Sequence, residues 1–172
     1  FRGPFRQVCE VKGDTAMAIL RVEALRKYYD VKDEFRGRHK VLKAVDGLDF
    51  SIGENEILAL VGESGCGKST VARLVLRLIQ PTSGSIYFQD RDIVGLKGKA
   101  LLAFRKSVQI IFQDPFASLN PRKTVLDTVS EPLKIHKLVE KRQLKDAVTG
   151  ILNKVGLDSD ILGRYPHEFS GG

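Results

Sequence analysis

The sequence of 172 residues has no tryptophan, one methionine and only two cysteines. Cys9 and Cys66 are too few for a disulfide scaffold and have no partner pair at the spacing of metal ligands, so a reducing cytosol is the expected compartment. Apolar runs such as ILALVG are far shorter than the roughly 20 residues of a membrane-spanning helix. Any contact with a membrane is therefore expected to be peripheral.

Lysine and arginine outnumber aspartate and glutamate, and the formal net charge is +7. This charge favours an anionic partner, namely a nucleotide, a nucleic acid or a lipid headgroup, although a merely soluble basic surface is an equally good interpretation. The basic residues are dispersed and only 8% of the residues are aromatic, which disfavours a nucleic-acid-binding surface. No nucleic acid is therefore expected among the partners.

The length and a hydrophobic fraction of 42% suffice for one globular domain with a buried core. Residues 1–16 show no sustained period, and the only methionine, Met17, directly precedes the first strand-like segment. We interpret residues 1–16 as a tail, or as upstream sequence joined to a domain that begins at Met17.

Hydrophobic periodicity predicts several strands. Residues 18–29 fit a strand that runs into aromatic residues, and the alternating residues 48–52 fit a half-buried strand that is expected to end at Gly53. Residues 56–62 and 108–114 are continuous apolar runs bounded by turn residues, which is typical of strands buried on both faces of a parallel sheet. The segment SGSIYFQDRDI is expected to form a turn, a short strand and another turn.

Helical spacing predicts several helices, which dominate the second half of the chain. Val71, Leu74, Val75 and Leu78 recur at helical spacing after a glycine-rich loop, and Pro81 is expected to end that helix. Further helical segments are predicted at 99–106, at 124–138 with an interruption at Pro132, and at 144–155. A helical subdomain after a β-rich core is therefore expected.

The segment GESGCGKST, residues 62–70, matches the pattern G-x-x-x-x-G-K-[ST]. Glycines let the backbone curl around an anion so that N–H groups converge on a polyphosphate, and the N-terminus of the next helix adds partial positive charge. Lys68 supplies a full charge to the β- and γ-phosphates, and Ser69 offers a hydroxyl to Mg²⁺. The expected nucleotide-binding residues of this loop are Gly62, Glu63, Ser64, Gly65, Cys66, Gly67, Lys68, Ser69 and Thr70.

This loop also admits other interpretations. Cys66 could be a redox switch, although a filler residue in a loop that works through its backbone is the simpler explanation. A GTPase or a small-molecule kinase uses the same loop, but NKVG at 153–156 lacks the aspartate of a guanine-reading N-K-x-D motif. The apolar run before the loop and the amphipathic segment after it favour triphosphate binding over a chance match.

Four stretches make the sequence resemble the ATP-binding subunits of ABC transporters, most closely those of oligopeptide and dipeptide importers. They are AVDGLDFSIGENEILALVGESGCGKST, IIFQDPFASLNPRKTV, KVGLDSDILGRYPHEFSGG and the aromatic pair in LRKYYD. The resemblance extends over residues 18–172, and SLNPR and RYPHEFSGG are more specific than the phosphate loop. It implies an α/β fold, a truncated P-loop NTPase core with an antiparallel β layer and a helical subdomain. The implied division is 17–112 for the β layer and phosphate-loop core, and 113–172 for the Q-loop and helical subdomain.

The resemblance implies roles for further residues. Gln113 is similar to the family's Q-loop glutamine, which contacts Mg²⁺ and the attacking water. Lys68 and Gln113 are therefore the expected catalytic residues, and Ser69 and Gln113 the expected metal ligands. Tyr29 resembles the aromatic residue that stacks on adenine, with Tyr28 as the alternative because adjacent strand residues point to opposite faces.

The last three residues, Ser170, Gly171 and Gly172, resemble the start of the family's signature motif, with Phe169 in place of its leucine. In the family this motif closes on ATP held by a second subunit. The resemblance therefore implies ATP and Mg²⁺ as cofactors, and as partners a second ATPase subunit, transmembrane permease subunits and, indirectly, a solute-binding protein. The implied location is the cytoplasmic face of the cell membrane.

The family places its Walker B aspartate, catalytic glutamate and switch histidine after the signature motif, within which this sequence ends. His136 and His167 precede the motif and do not replace that histidine. Residues 1–172 alone are therefore expected to bind nucleotide without hydrolysing it, and to expose a sheet edge and apolar surface.

Overall fold

The computed structural model describes residues 18–32, 39–114 and 118–169. The chain divides into two compact units, Phe1–Gln109 and Ile110–Gly172. The first unit carries the strands, and the second is helical, as the change of pattern along the sequence predicted. The subdivision expected at Gln113 lies within the first residues of the second unit.

The first unit contains a mixed set of strands and helices. Its elements are β1 (Ala18–Lys32), β2 (His39–Gly53), α1 (Lys68–Val75), β3 (Ser83–Phe88), β4 (Arg91–Asp92) and α2 (Gly98–Ser107). The strand predicted at 18–29, the end of β2 at Gly53 and the helix predicted at 99–106 are confirmed. The helix after the phosphate loop is also confirmed, but it ends at Val75, before Pro81 is reached.

The four strands form one sheet in the order β2-β1-β3-β4. Every neighbouring pair is antiparallel, which confirms the antiparallel β layer. One face of this sheet is apolar and packs against the two helices of the unit. The core shared by strands and helices includes Leu25, Val45, Ile86, Leu74 and Phe104.

Arg77 fixes the segment that follows α1 to the rest of the first unit. Its side chain is buried, and its Nε donates a hydrogen bond of 2.7 Å to the carbonyl oxygen of Ile93. Arg105 in turn donates to the carbonyl oxygen of Arg77 over 2.8 Å. Burial, with the nearby positive charge of Arg105, lowers the pKa of the Arg77 guanidinium. These bonds hold the C-terminal end of α1 against the turn before α2.

The second unit contains helices α3 (Val125–Ile135) and α4 (Leu144–Lys154), with short 3₁₀ turns at Lys141–Gln143, Ser159–Gly163 and Pro166–Glu168. Thr124 caps α3 by accepting a hydrogen bond from the backbone N–H of Asp127. The helix runs through Pro132, so the predicted interruption there was wrong. Proline removes one backbone donor, and packing of the flanking apolar residues against α4 compensates for that loss.

The strands predicted at 56–62 and 108–114 are absent, so both predictions were wrong. Ile57 and Ile111 are 95% and 93% exposed, although both lie in the apolar runs that suggested burial. A strand needs a neighbour for its backbone N–H and C=O groups. The strands of the described residues pair only with one another, so neither run has such a neighbour there.

No helix in the described part of the chain is long and apolar enough to cross a membrane.

Candidate functional site

The loop at 62–70 ends at the N-terminus of α1, where the chain turns sharply through two glycines. Gly65 and Gly67 have φ of 82° and 105°, in the left-handed region that glycine adopts without strain. The carbonyl oxygen of Gly67 accepts from the N–H of Val71 over 2.9 Å, and no side chain caps the helix. The first N–H groups of α1 therefore lack a protein acceptor and suit an anion.

Lys68, the first residue of α1, folds back over this loop. Its ammonium donates to the carbonyl oxygens of Gly62 and Glu63 over 2.6 and 2.7 Å. It also lies 3.4 Å from the Sγ of Cys66. The positive charge is thus held against the loop by the loop's own carbonyl oxygens.

Gly62 lies at the start of the loop, close to the side chain of Cys66. A Cβ built on Gly62 would lie 2.7 Å from the Sγ of Cys66. Cys66 is partly buried, and its N–H donates to the carbonyl oxygen of Glu63 over 3.3 Å. Cys66 therefore fills the space under the loop, in agreement with the simpler interpretation of this residue.

The geometry fits a triphosphate. Glu63, Ser64 and Ser69 are exposed around the loop, and Thr70 is half-buried in the first turn of α1. Ser69 follows Lys68 in α1 and is exposed, and its role as a ligand of Mg²⁺ remains a prediction. Among the residues that the structure describes, no three acidic, histidine or cysteine side chains cluster as a metal site.

The two candidate tyrosines of β1 lie in different surroundings. The Tyr28 hydroxyl donates a hydrogen bond to Asp46, and Lys43 lies over the Tyr28 ring at 5.3 Å. Tyr29 is 37% exposed, with the Lys27 ammonium 4.9 Å from the centre of its ring. A lysine thus lies over each ring, and the two tyrosines differ in that the Tyr28 hydroxyl is bound to Asp46.

Asp46 was not anticipated from the sequence. Hydrogen bonds from Tyr28 and Lys43 lower the pKa of Asp46, and the bond to Asp46 raises the pKa of both Tyr28 and Lys43. Arg26 adds an ion pair at 3.6 Å. The pairing of β1 with β2 is irregular around Gly47 and Ala44, and this irregular register brings Arg26, Tyr28 and Lys43 to Asp46. The spacing of these residues along the sequence does not predict the cluster.

Gln113 and the final residues belong to the second unit. Gln113 is exposed and lies in a bend, not at the end of a buried strand as predicted. Ser170, Gly171 and Gly172 lie outside the described residues. The phosphate loop and the tyrosine pair therefore lie in the first unit and Gln113 in the second, and the roles of all these site residues remain predictions.

Comparison with known proteins yields one family. The model of the ABC transporter family matches residues 45–172. The oligopeptide transport ATP-binding protein AppF of Bacillus subtilis is 46% identical over 90% of this chain and 47% of its own length. The dipeptide transport ATP-binding protein DppF of Haemophilus influenzae is 40% identical over 95% of this chain and 49% of its own length. The chain thus spans about half the length of these relatives.

The fold also matches a solved structure, that of the dimeric ATP-binding cassette MJ0796 bound to ADP and phosphate. The TM-score is 0.69 at 23% identity, and the match covers 88% of this chain and 63% of that one. This likeness confirms the α/β fold.

Proposed function

Since the chain belongs to the ABC transporter family, we propose that it is the nucleotide-binding part of an ATPase subunit that drives uptake of oligopeptides or dipeptides. The family assignment decides against a GTPase or a small-molecule kinase. The phosphate loop carries the proposal: Lys68 is held against the loop, and the N-terminus of α1 beside it has no side-chain cap, which supports binding of a triphosphate. The names of the relatives support a peptide as the transported solute.

The proposed roles follow the chemistry of each group. Lys68 neutralises charge on the β- and γ-phosphates, and Ser69 holds Mg²⁺, which bridges those phosphates and offsets the charge that develops on transfer. Gln113 orients the attacking water, since a neutral amide positions water without taking its proton. Tyr29 stacks on adenine, which its exposed ring supports.

The proposed partners complete the site. A second ATPase subunit places its residues equivalent to Ser170, Gly171 and Gly172 on the γ-phosphate. The permease subunits in the membrane respond to the closing of the two ATPase subunits on ATP. We further propose that residues 1–172 alone bind nucleotide without turnover.

Uptake of labelled oligopeptides by the source organism tests this proposal. Deleting the gene should abolish uptake, and the full-length gene should restore it. Lys68→Ala should fail to restore uptake, whereas Lys99→Ala, which removes the same charge from an exposed position on α2, should succeed. Normal peptide uptake in the deletion strain, with loss of nickel or another solute, would contradict the assigned substrate class.

A further inference from the structure

Strand β1 carries one extra residue at Ala24. Between Val22 and Leu25 it has two residues where β2 has only Asp49. On the other side, Ala24 and Leu25 lie opposite the single residue Gly84 of β3. Ala24 has φ of 45°, in the left-handed region that costs a non-glycine residue free energy. A β-bulge with strained backbone therefore interrupts the strand, and the neighbouring strands must hold it.

Two contacts hold the bulge. The Asp49 side chain accepts a hydrogen bond of 2.6 Å from the backbone N–H of Ala24. Gly84, with φ of 92°, lets β3 approach: a Cβ there would lie 2.5 Å from the Ala24 carbonyl oxygen and 2.7 Å from that of Glu23. Asp49 supplies the only side-chain hydrogen bond to this backbone in the described part of the chain.

The bulge reverses the alternation of side chains along β1. Before it, Leu20 and Val22 point into the core; after it, Leu25 does. One extra residue moves every later side chain to the opposite face, so Lys27 and Tyr29 share the face of Leu25. The contact of the Lys27 ammonium with the Tyr29 ring agrees with this shared face.

Tyr28 consequently lies on the opposite face of the sheet. Its hydroxyl bonds to Asp46, which also pairs with Arg26, another residue of β1 on that face. Without the bulge, Tyr28 and Tyr29 would exchange faces.

The core face is the one that bears the phosphate-loop helix. Val71 and Leu74 of α1 lie in the same buried cluster as Leu25 and Val45. Helix α1 begins directly after the phosphate loop, so an aromatic ring on the core face lies on the nucleotide side of the sheet.

We propose that Asp49 is a positioning residue for nucleotide binding: by holding the bulge at Ala24 it keeps Tyr29, and not Tyr28, on the face that carries the phosphate-loop helix. This inference rests on the proposed function. Asp49 does not touch the nucleotide; it acts through the ring of Tyr29. Its loss should therefore weaken recognition of the base and leave recognition of the phosphates intact.

Residues 1–172 contain no tryptophan, so a single tryptophan introduced on either face of the sheet can be followed by its own fluorescence. Tyr29→Trp and Tyr28→Trp are made in the full-length protein, and the fluorescence of each is read as a difference from the parent. MgATP should change the fluorescence of Tyr29→Trp, whereas inorganic tripolyphosphate, which has no base, should not. Tyr28→Trp should respond to neither ligand. A response of Tyr28→Trp with a silent Tyr29→Trp would overturn the assignment of faces.

Variants of Asp49 test the positioning role by titration calorimetry with both ligands. Asp49→Ala should weaken MgATP binding at least about fivefold, the lower end of what one stacked base supports, with unchanged tripolyphosphate binding. Asp49→Asn keeps an acceptor oxygen and should bind MgATP like the parent. Adding Ala24→Gly to Asp49→Ala should restore binding, since glycine adopts this backbone conformation without strain.

The outcomes separate this inference from the proposed function. Equal losses for MgATP and tripolyphosphate in Asp49→Ala, or no loss for either, would overturn the positioning role while leaving the phosphate loop as assigned. Absence of binding of both ligands to the parent protein would overturn the proposed function, and the positioning role with it. If Asp49→Ala does not fold, the tryptophan pair still tests the assignment of faces, and weakened MgATP binding by the Asp49→Ala, Ala24→Gly double variant would overturn the positioning role.

Discussion

Two kinds of apolar segment in this chain differ in whether they form strands. Strands β1 and β2 pair with each other over their length, and β1 also pairs with β3. The segments at 56–62 and 108–114 are more continuously apolar, yet they form no strand and expose Ile57 and Ile111 almost fully. Hydrophobicity is therefore not what distinguishes the ordered strands.

The difference lies in the backbone. Each described antiparallel strand has one hydrogen-bond partner close in sequence, β2 for β1 and β4 for β3, and the pairing of β1 with β3 joins these two local pairs. A strand of a parallel sheet takes its partner through a long crossover, and it is buried only when both neighbours and both covering layers are in place. An apolar run indicates that a segment is favoured in a buried position. Whether the segment forms a strand depends on neighbouring strands, which are specified by other parts of the sequence.

Truncating one apolar residue in each kind of segment should give the largest contrast. Leu25→Ala should cost about 2–5 kcal/mol in the free energy of unfolding, because Leu25 is fully buried in the core of the first unit. Ile57→Ala should change it by no more than about 0.5 kcal/mol in residues 1–172, because the side chain is exposed. Urea unfolding measures both. A cost for Ile57→Ala as large as that for Leu25→Ala would break the comparison.

A smaller effect is expected where strands approach closely. Gly84→Ala should destabilise the protein by about 1–3 kcal/mol, because alanine resists this backbone conformation and its methyl group meets the backbone of Ala24 and Glu23. Gly95→Ala is the matched control, since a Cβ there meets nothing within 4 Å. Thermal unfolding of the two variants should rank them in this order, and equal midpoints would refute the account of the bulge.

The smallest expected change in stability comes from the ionisation of Asp46, which is bonded to Tyr28 and Lys43. Its lowered pKa means that Asp46 contributes stability above its unfolded pKa of about 3.9, and that this contribution is lost as the pH falls through the folded pKa. Asp46→Asn should therefore lower the melting temperature slightly at neutral pH and not in strong acid. The same variant should return the raised pKa of Tyr28 toward about 10, measured as phenolate absorbance against Tyr28→Phe. An unchanged Tyr28 titration would show that Asp46 does not bind this hydroxyl.

The sequence was sufficient to predict the elements whose pattern is local. Strand-like segments predicted most of β1 and the last residues of β2, the segment at 99–106 predicted α2, and the loop pattern located Lys68 and its glycines. The bulge at Ala24 was not predictable, because alanine carries no signal for a left-handed backbone and its partner Asp49 lies on another strand. For the same reason the sequence alone left Tyr28 and Tyr29 as alternatives.

Calorimetric titration of the full-length protein with MgATP tests the central claim, that the phosphate loop at 62–70 binds the triphosphate, most directly. Lys68→Ala should abolish or strongly weaken binding, while Tyr29→Ala should weaken it by only about 1–3 kcal/mol, the range for loss of one stacking face. Lys99→Ala, with the same change of charge, should bind like the parent. Undiminished binding by Lys68→Ala, or a larger loss for Tyr29→Ala than for Lys68→Ala, would contradict the assignment of this loop.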